Sequence, residues 1–316
     1  MVQSALAAAG TLFVLMALGY FVAAKGFLKD EGRVLLSRLV LQIGLPATII
    51  SSVCGNFTRQ SLLQAGAALW VPLVSIGLNM ALCAALAALF RVPPFRRGVF
   101  ISLAAFSNTI FVGLPVVTSM LGERAAPYAL LFYVGNTVLF WSLGALGIER
   151  DGNAAPGESW GRRVVRSILT GPLPAFVLAA AFVALGLRMP DWGMKLFQTV
   201  GGITTPLSLF YIGAVMHRTG LRSLKLERSS ILVLLFRFLI SPALAFALVY
   251  LVPLPGLART VFVLQAGMPA MTQTALVAGR YGADEGYAAG LLVLTTLVSL
   301  FMLPLYALVL GRTGWI

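Results

Sequence analysis

Charge is what this chain has least of. Only 10% of its 316 residues are Asp, Glu, Lys or Arg, while 59% are hydrophobic. Soluble domains carry about a quarter charged residues, so this composition excludes an ordinary soluble fold and describes an integral membrane protein. Histidine and cysteine are almost missing. His217 stands alone, and Cys54 and Cys83 lie in or beside apolar runs. That set supports neither a metal site nor a disulfide framework. There is no helical HExxH motif and no pair of intramembrane aspartates, so an intramembrane enzyme is not expected and no cofactor is called for. The acidic residues are Asp30, Glu31, Glu123, Glu149, Asp151, Glu158, Asp191, Glu227, Asp284 and Glu285, and all fall in loops or at the ends of apolar runs. Proton-driven carriers commonly hold a carboxylate at membrane depth. Without one, coupling must be different, peripheral or absent. The first residues carry no basic cluster, which reads as a retained first span rather than a cleaved leader.

What is present is a series of long apolar runs. They cover 1–24, 39–58, 60–90, 98–122, 125–148, 167–187, 196–217, 229–258 (interrupted by Arg237), 260–279 and 286–311. Each is near or above the roughly 20 residues needed to cross hydrocarbon, which predicts an all-α membrane protein with ten transmembrane helices. The formal net charge of +13 does not imply nucleic acid, because the basic residues sit in short clusters between the runs. Sixteen of the 23 Lys and Arg follow odd-numbered runs, and six follow even-numbered ones. The positive-inside rule then places the odd loops in the cytoplasm and both termini outside it, and the size and short loops point to the inner (plasma) membrane of a bacterium.

The longest polar connector, 149–163, separates five runs from five. An odd number per half requires the second half to enter the membrane inverted, the duplication common in secondary transporters. Residues 1–148 form the first expected repeat, 149–163 a cytoplasmic linker, and 164–316 the second repeat. Pro46 in run two matches Pro206 in run seven at an offset of 160, and Pro115 in run four matches Pro269 in run nine at an offset of 154. The stretches Gly113-Leu114-Pro115 and Gly267-Met268-Pro269 predict two helices broken at membrane depth. A proline removes a donor and displaces the carbonyl four residues earlier, which here belongs to Phe111 and to Gln265. Freed backbone at that depth must line a cavity or be satisfied by protein. Ser107, Asn108 and Thr109 flank one break; Gln265, Thr272, Gln273 and Thr274 flank the other. Half-helix N-termini at such a crossing suit an anion. Arg237 is read either as a charge partner for that anion or as a residue snorkelling to the cytoplasmic surface. Asn136 and Thr137 in run five line the same cavity in this reading, Asn79 is assigned to helix packing, and His217 to the interface.

At these residues the chain resembles the auxin efflux carrier family, which includes bacterial malonate and malate carriers. The matching pieces are Leu18-Gly19-Tyr20 with Lys25-Gly26-Phe27-Leu28; Ser37-Arg38-Leu39-Val40 running into Leu45-Pro46; Ser107-Asn108-Thr109 with Gly113-Leu114-Pro115; and Gly267-Met268-Pro269. The resemblance implies a scaffold of spans one, two, six and seven, and a transport domain of spans three to five and eight to ten. It also implies elevator-type alternating access and a homodimer. The fold is shared with sodium–bile acid symporters, which carry a glutamate where this chain has Gln265. The expected function is secondary transport of small organic anions, carboxylates foremost, with a bile-acid-type sodium symporter or a passive anion channel as alternatives. The expected substrate-binding residues are Ser107, Asn108, Thr109, Gly113, Pro115, Asn136, Arg237, Gln265, Gly267, Pro269, Gln273 and Thr274. The expected partners are the organic anion, the lipid bilayer and a second copy of the chain, with no metal and no nucleic acid.

Overall fold

A computed structural model describes residues 2–60, 62, 66, 68–152, 161, 173–220 and 226–315. Among these the protein is helical throughout, with no strand and a single isolated antiparallel bridge between Ser107 and Ala270. Six helices are long and apolar enough to cross a membrane: Glu31–Asn56, Trp70–Leu89, Glu123–Asp151, Asp191–Thr219, Arg228–Val249 and Glu285–Gly311. Four shorter apolar helices, Phe13–Ala24, Thr109–Leu121, Pro174–Ala184 and Gly256–Ala266, occupy the expected first, fourth, sixth and ninth runs. The protein is therefore a multi-pass membrane protein. Most of the expected linker 149–163, the start of the sixth run and part of the third lie outside the described residues.

The elements that position the site are these, in chain order. Helix α1 (Val2–Ala24) is followed by α2 (Asp30–Leu39) and α3 (Leu45–Asn56), which join through the π turn Val40–Gly44. Then come α4 (Trp70–Leu89), α5 (Arg97–Ala105) and α6 (Leu114–Leu121), the last entered through the π turn Thr109–Gly113. Next are α7 (Ala126–Leu139) and α8 (Ala145–Asp151), then α9 (Leu173–Ala184), α10 (Asp191–Gly201) and α11 (Thr204–Thr219). The chain ends with α12 (Arg228–Leu235), the π turn Phe236–Ile240, α13 (Ser241–Val249), α14 (Gly256–Ala266), α15 (Gln273–Tyr281) and α16 (Glu285–Gly311).

Glycine sets how closely these helices approach. Gly19 of α1 lies against the backbone of Phe210, and Gly213 of α11 against Met16 and Tyr20, so a Cβ at either position would overlap main chain. This is the small-residue packing that lets membrane helices touch backbone to backbone. Helix α3 packs on α9 and α10, while α5 packs on α4 and α8, and α13 on α4 and α14. On one edge, Arg96 Nε donates to Asp284 Oδ2 at 2.6 Å and its Nη1 to Glu227 Oε2 at 3.2 Å. This ties the connections before α5, α12 and α16 together.

The structure corrects the expected position of the first break. Pro115 does not break the helix at Phe111: it lies within the continuous helix Thr109–Leu121, two residues after the π turn Thr109–Gly113. The chain leaves helical geometry earlier, at Phe106–Asn108, with Phe106 extended at φ −100°, ψ 130°. The strain a mid-helix proline would cause is taken up by the π turn Thr109–Gly113, whose wider ring admits an extra residue. The same device precedes Pro46, after Val40–Gly44, and Pro242, after Phe236–Ile240. In the second half the break is where it was expected, with Pro269 inside the non-helical stretch between Ala266 and Gln273.

Candidate functional site

The two breaks cross. Asn108 N donates to Pro269 O at 2.8 Å and Met271 N donates to Phe106 O at 3.0 Å, forming the antiparallel bridge around Ser107 and Ala270. Two short extended stretches thus satisfy part of each other's backbone where no helix ladder can. Side chains supply the rest. Asn136 of α7 accepts from Ser107 N at 3.1 Å and donates from Nδ2 to Ser107 O at 3.0 Å, so one carboxamide replaces a neighbouring strand. Thr295 of α16 accepts from Ala270 N at 3.1 Å. Asn79 of α4 donates to Ala104 O at 3.2 Å, which places it at the crossing as well as in helix packing.

Asn108 organises the next turn. Its Oδ1 accepts from Phe111 N at 3.2 Å, capping the π turn, and its Nδ2 donates to Thr272 Oγ1 at 2.8 Å. Gln265 reaches the same turn from α14, with Nε2 donating to Thr109 O at 3.3 Å. Gly113 has no side chain because the Gln265 carboxamide fills the space a Cβ would take. Both Gln265 and Thr274 are fully buried, and among the described residues Gln265 Oε1 and Thr274 Oγ1 have no hydrogen-bond partner. Buried polar atoms of this kind ordinarily find one.

Arg237 is fully buried. Its guanidinium does not extend to a surface. Nε donates to Met268 O at 3.0 Å, Nη1 to Ala104 O at 2.9 Å, and Nη2 to Ala266 O at 2.6 Å, Ser107 Oγ at 2.8 Å and Ser241 Oγ at 3.2 Å. The crossing therefore gathers Ser107, Asn108, Thr109, Gly113, Asn136, Arg237, Gln265 and Pro269. Gly267 lies beside it against the Tyr306 ring. Pro115 is one turn away in α6 with no polar contact to the crossing, and Gln273, half-buried, opens α15. Asn79, Ser241, Thr272 and Thr295 complete the network. Of these, Thr272 beside Pro269 and Ser241 beside Pro242 carry the visible signal of a polar residue next to a helix irregularity.

Two cavities approach the crossing from opposite ends. The first, of about 700 Å³, is lined by Arg33, Arg38, Tyr211, Arg218 and Glu285 and reaches Thr272. The second, of about 590 Å³, is lined by Thr48, Asn56, Thr118, Glu123, Gln198 and Thr204. Helix Glu31–Asn56 runs from one to the other, and helix Asp191–Thr219 runs back. Where the two pass, Thr48 Oγ1 and Thr204 Oγ1 lie 3.0 Å apart, beside Pro46 and Pro206.

Comparison with known proteins adds the following. A family model described as membrane transport protein matches residues 6–307. An uncharacterized transporter of Methanocaldococcus jannaschii is 27% identical over 318 residues, covering 96% of each chain. An uncharacterized transporter of Methanothermobacter thermautotrophicus is 29% identical over 308 residues, covering 95% of this chain and 96% of its own. Family and relatives indicate a transporter rather than an enzyme.

Proposed function

Because the chain belongs to the membrane transport protein family, in its auxin efflux carrier-like branch, we propose that it is a secondary transporter of small organic anions, carboxylates foremost. The observation that carries this reading is the cavity of about 700 Å³, which joins Arg33, Arg38 and Arg218 to Thr272 and, through its hydrogen bond, to Asn108. Three guanidinium groups against one carboxylate, Glu285, leave the opening net positive, which raises the local concentration of anions. In the proposed orientation this cavity opens to the cytoplasm and both termini lie outside a bacterial inner membrane.

The inverted five-helix repeat is supported by how the breaks are satisfied. Asn79 serves Ala104 O in the first half, as Arg237 serves Ala266 O in the second; Asn136 serves Ser107 N, as Thr295 serves Ala270 N. The side chains come from corresponding spans of each half. The division into scaffold and transport domain is supported by packing: α1 with α11, and α3 with α9 and α10, against α5 with α4 and α8. Elevator-type movement of the second group along the first would expose the crossing to each cavity in turn. Gln265 Oε1 and Thr274 Oγ1 have no partner among the described residues; a water carried with the substrate would donate to Gln265 Oε1, and the Thr274 hydroxyl would donate to the carboxylate or its water.

The test is a thermal-shift screen of purified protein against mono- and dicarboxylates, followed by uptake into proteoliposomes with sodium, proton gradient and membrane potential varied separately. A stabilising carboxylate is expected, since a ligand that binds the native state raises its stability. Asn108→Ala and Gln265→Ala should each lower its uptake about tenfold or more at unchanged expression, as loss of a buried polar partner implies. Normal uptake by both variants would place the substrate elsewhere.

A further inference from the structure

Arg237 is a buried charge whose partners among the described residues include no carboxylate. Among the described residues the ion pairs involve Arg96, not Arg237, and the acidic residues sit at helix ends and in connections. An isolated buried cation is strongly disfavoured, so something must stabilise it. Its acceptors identify what. Ala104 O belongs to the last turn of α5, Ala266 O ends α14, and Met268 O follows in the unwound stretch. The C-terminal, negative ends of two broken helices converge on one point. Ser107 Oγ and Ser241 Oγ complete a cage of five oxygens.

That donor set has a recognisable chemistry. In carriers with discontinuous helices, unwound carbonyls and half-helix C-terminal ends are the groups that hold a sodium ion. Hard cations prefer oxygen ligands of this type. Three of the five oxygens surround the single atom Nη2 at 2.6, 2.8 and 3.2 Å. A cation is thus already seated where the crossing requires one, and it is attached to the chain.

We infer that Arg237 is a built-in cation: its guanidinium occupies an alkali-cation site made by the converging C-terminal ends of α5 and α14, so the carrier needs no sodium ion there. Arg237 then acts as a positioning residue that holds the crossing, and its donors are engaged by protein oxygens rather than by substrate. Transport of carboxylate by this chain would proceed without sodium coupling at the crossing, unlike transport by a carrier whose cage is open.

The experiment compares wild type, Arg237→Ala and Arg237→Lys by thermal unfolding in detergent. Each is measured in sodium chloride and in N-methylglucamine chloride at equal ionic strength, with and without dilute guanidinium chloride. Wild type should unfold at the same temperature in both salts. Arg237→Ala should unfold at least about 5 °C lower in N-methylglucamine and recover about half of that loss or more with sodium or dilute guanidinium, because either ion can enter the vacated cage. Arg237→Lys retains a tethered cation and should be indifferent to sodium. A folded Arg237→Ala that neither ion rescues would overturn the inference, as would an Arg237→Lys that sodium stabilises. If Arg237→Ala cannot be purified, wild type and Arg237→Lys still decide: stabilisation of either by sodium refutes it. None of these readings requires transport, so a failure of the carboxylate assignment leaves them interpretable.

Discussion

Asn136 and Asn79 are both asparagines with no exposed surface, yet the structure predicts a higher cost for removing the first. Asn136→Ala orphans one buried backbone donor, because its carboxamide accepts from Ser107 N at 3.1 Å, while Ser107 O, which takes the Asn136 Nδ2 hydrogen bond at 3.0 Å, keeps a second donor in Thr109 N at 2.9 Å. Each buried group left without a partner costs about 1–3 kcal/mol. Membrane hydrogen bonds measured by double-mutant cycles average nearer 0.6 kcal/mol, because the unfolded chain in lipid finds other partners. Here the larger figure applies to Ser107 N, which lies outside the helical ladder and has Asn136 Oδ1 as its acceptor. We take about 1–2 kcal/mol for that donor, equivalent to a loss of roughly 1.5–3 °C in unfolding temperature for a chain of this size.

Asn79→Ala removes one donor, but its acceptor, Ala104 O, also receives Arg237 Nη1 at 2.9 Å. No carbonyl is orphaned, and the loss should stay below about 1 kcal/mol for the hydrogen bond, with only the packing of a truncated side chain to add. Thermal or denaturant unfolding of both variants in the same detergent gives the comparison. A burial argument alone predicts equal losses. If Asn79→Ala costs as much as Asn136→Ala, satisfaction of the broken backbone is not what these side chains supply.

Two further outcomes follow from packing and from topology. Gly19→Ala and Gly213→Ala should each destabilise by about 1–3 kcal/mol through overpacking, whereas Gly10→Ala, with open space around it, should change stability by no more than about 0.5 kcal/mol; equal unfolding temperatures for all three would refute the close approach of α1 and α11. Single cysteines at the exposed positions Phe27 and Leu226 should react with an impermeant maleimide only from the cytoplasmic side, and one at exposed Trp192 only from the other; reversed or mixed labelling would overturn the proposed orientation.

The membrane class and the all-helical fold were legible from scarcity of charge and the spacing of apolar runs. Both broken segments were legible too, because polar triplets such as Ser107-Asn108-Thr109 are conspicuous at membrane depth. The exact place of the first break was not. A proline seven residues beyond Asn108 drew attention to itself, but a π turn can absorb its missing donor. In three of the four π turns among the described residues, a proline follows two residues after the turn ends, at Pro46, Pro115 and Pro242. Sequence shows the proline and not which backbone geometry absorbs it. Arg237 was legible as a charge at membrane depth, but its surroundings were not. Its charge suggested an anion or a surface, because its acceptors Ala104, Ala266 and Met268 are backbone carbonyls, invisible in residue identity and between 29 and 133 positions away.

The placement of Arg237 also bears on why an anion is the proposed cargo. A crossing of two broken helices brings together two C-terminal ends, partly negative, and two N-terminal ends, partly positive. Were all four left alone, the crossing would have no net preference for either sign. The guanidinium neutralises the C-terminal ends of α5 and α14 through three carbonyls. What remains is the pair of N-terminal ends: the turn that leads into α6, capped by Asn108, and α15, preceded by Thr272. The side chains of Asn108 and Thr272 are bonded to each other, and Thr272 lines the arginine-bordered cavity. A fixed cation on one side of the crossing thus leaves positive potential on the side that faces solvent. In the proposed reading the same arrangement explains how a chain with no described carboxylate at the crossing selects charge: the cargo supplies the negative group that the protein omits.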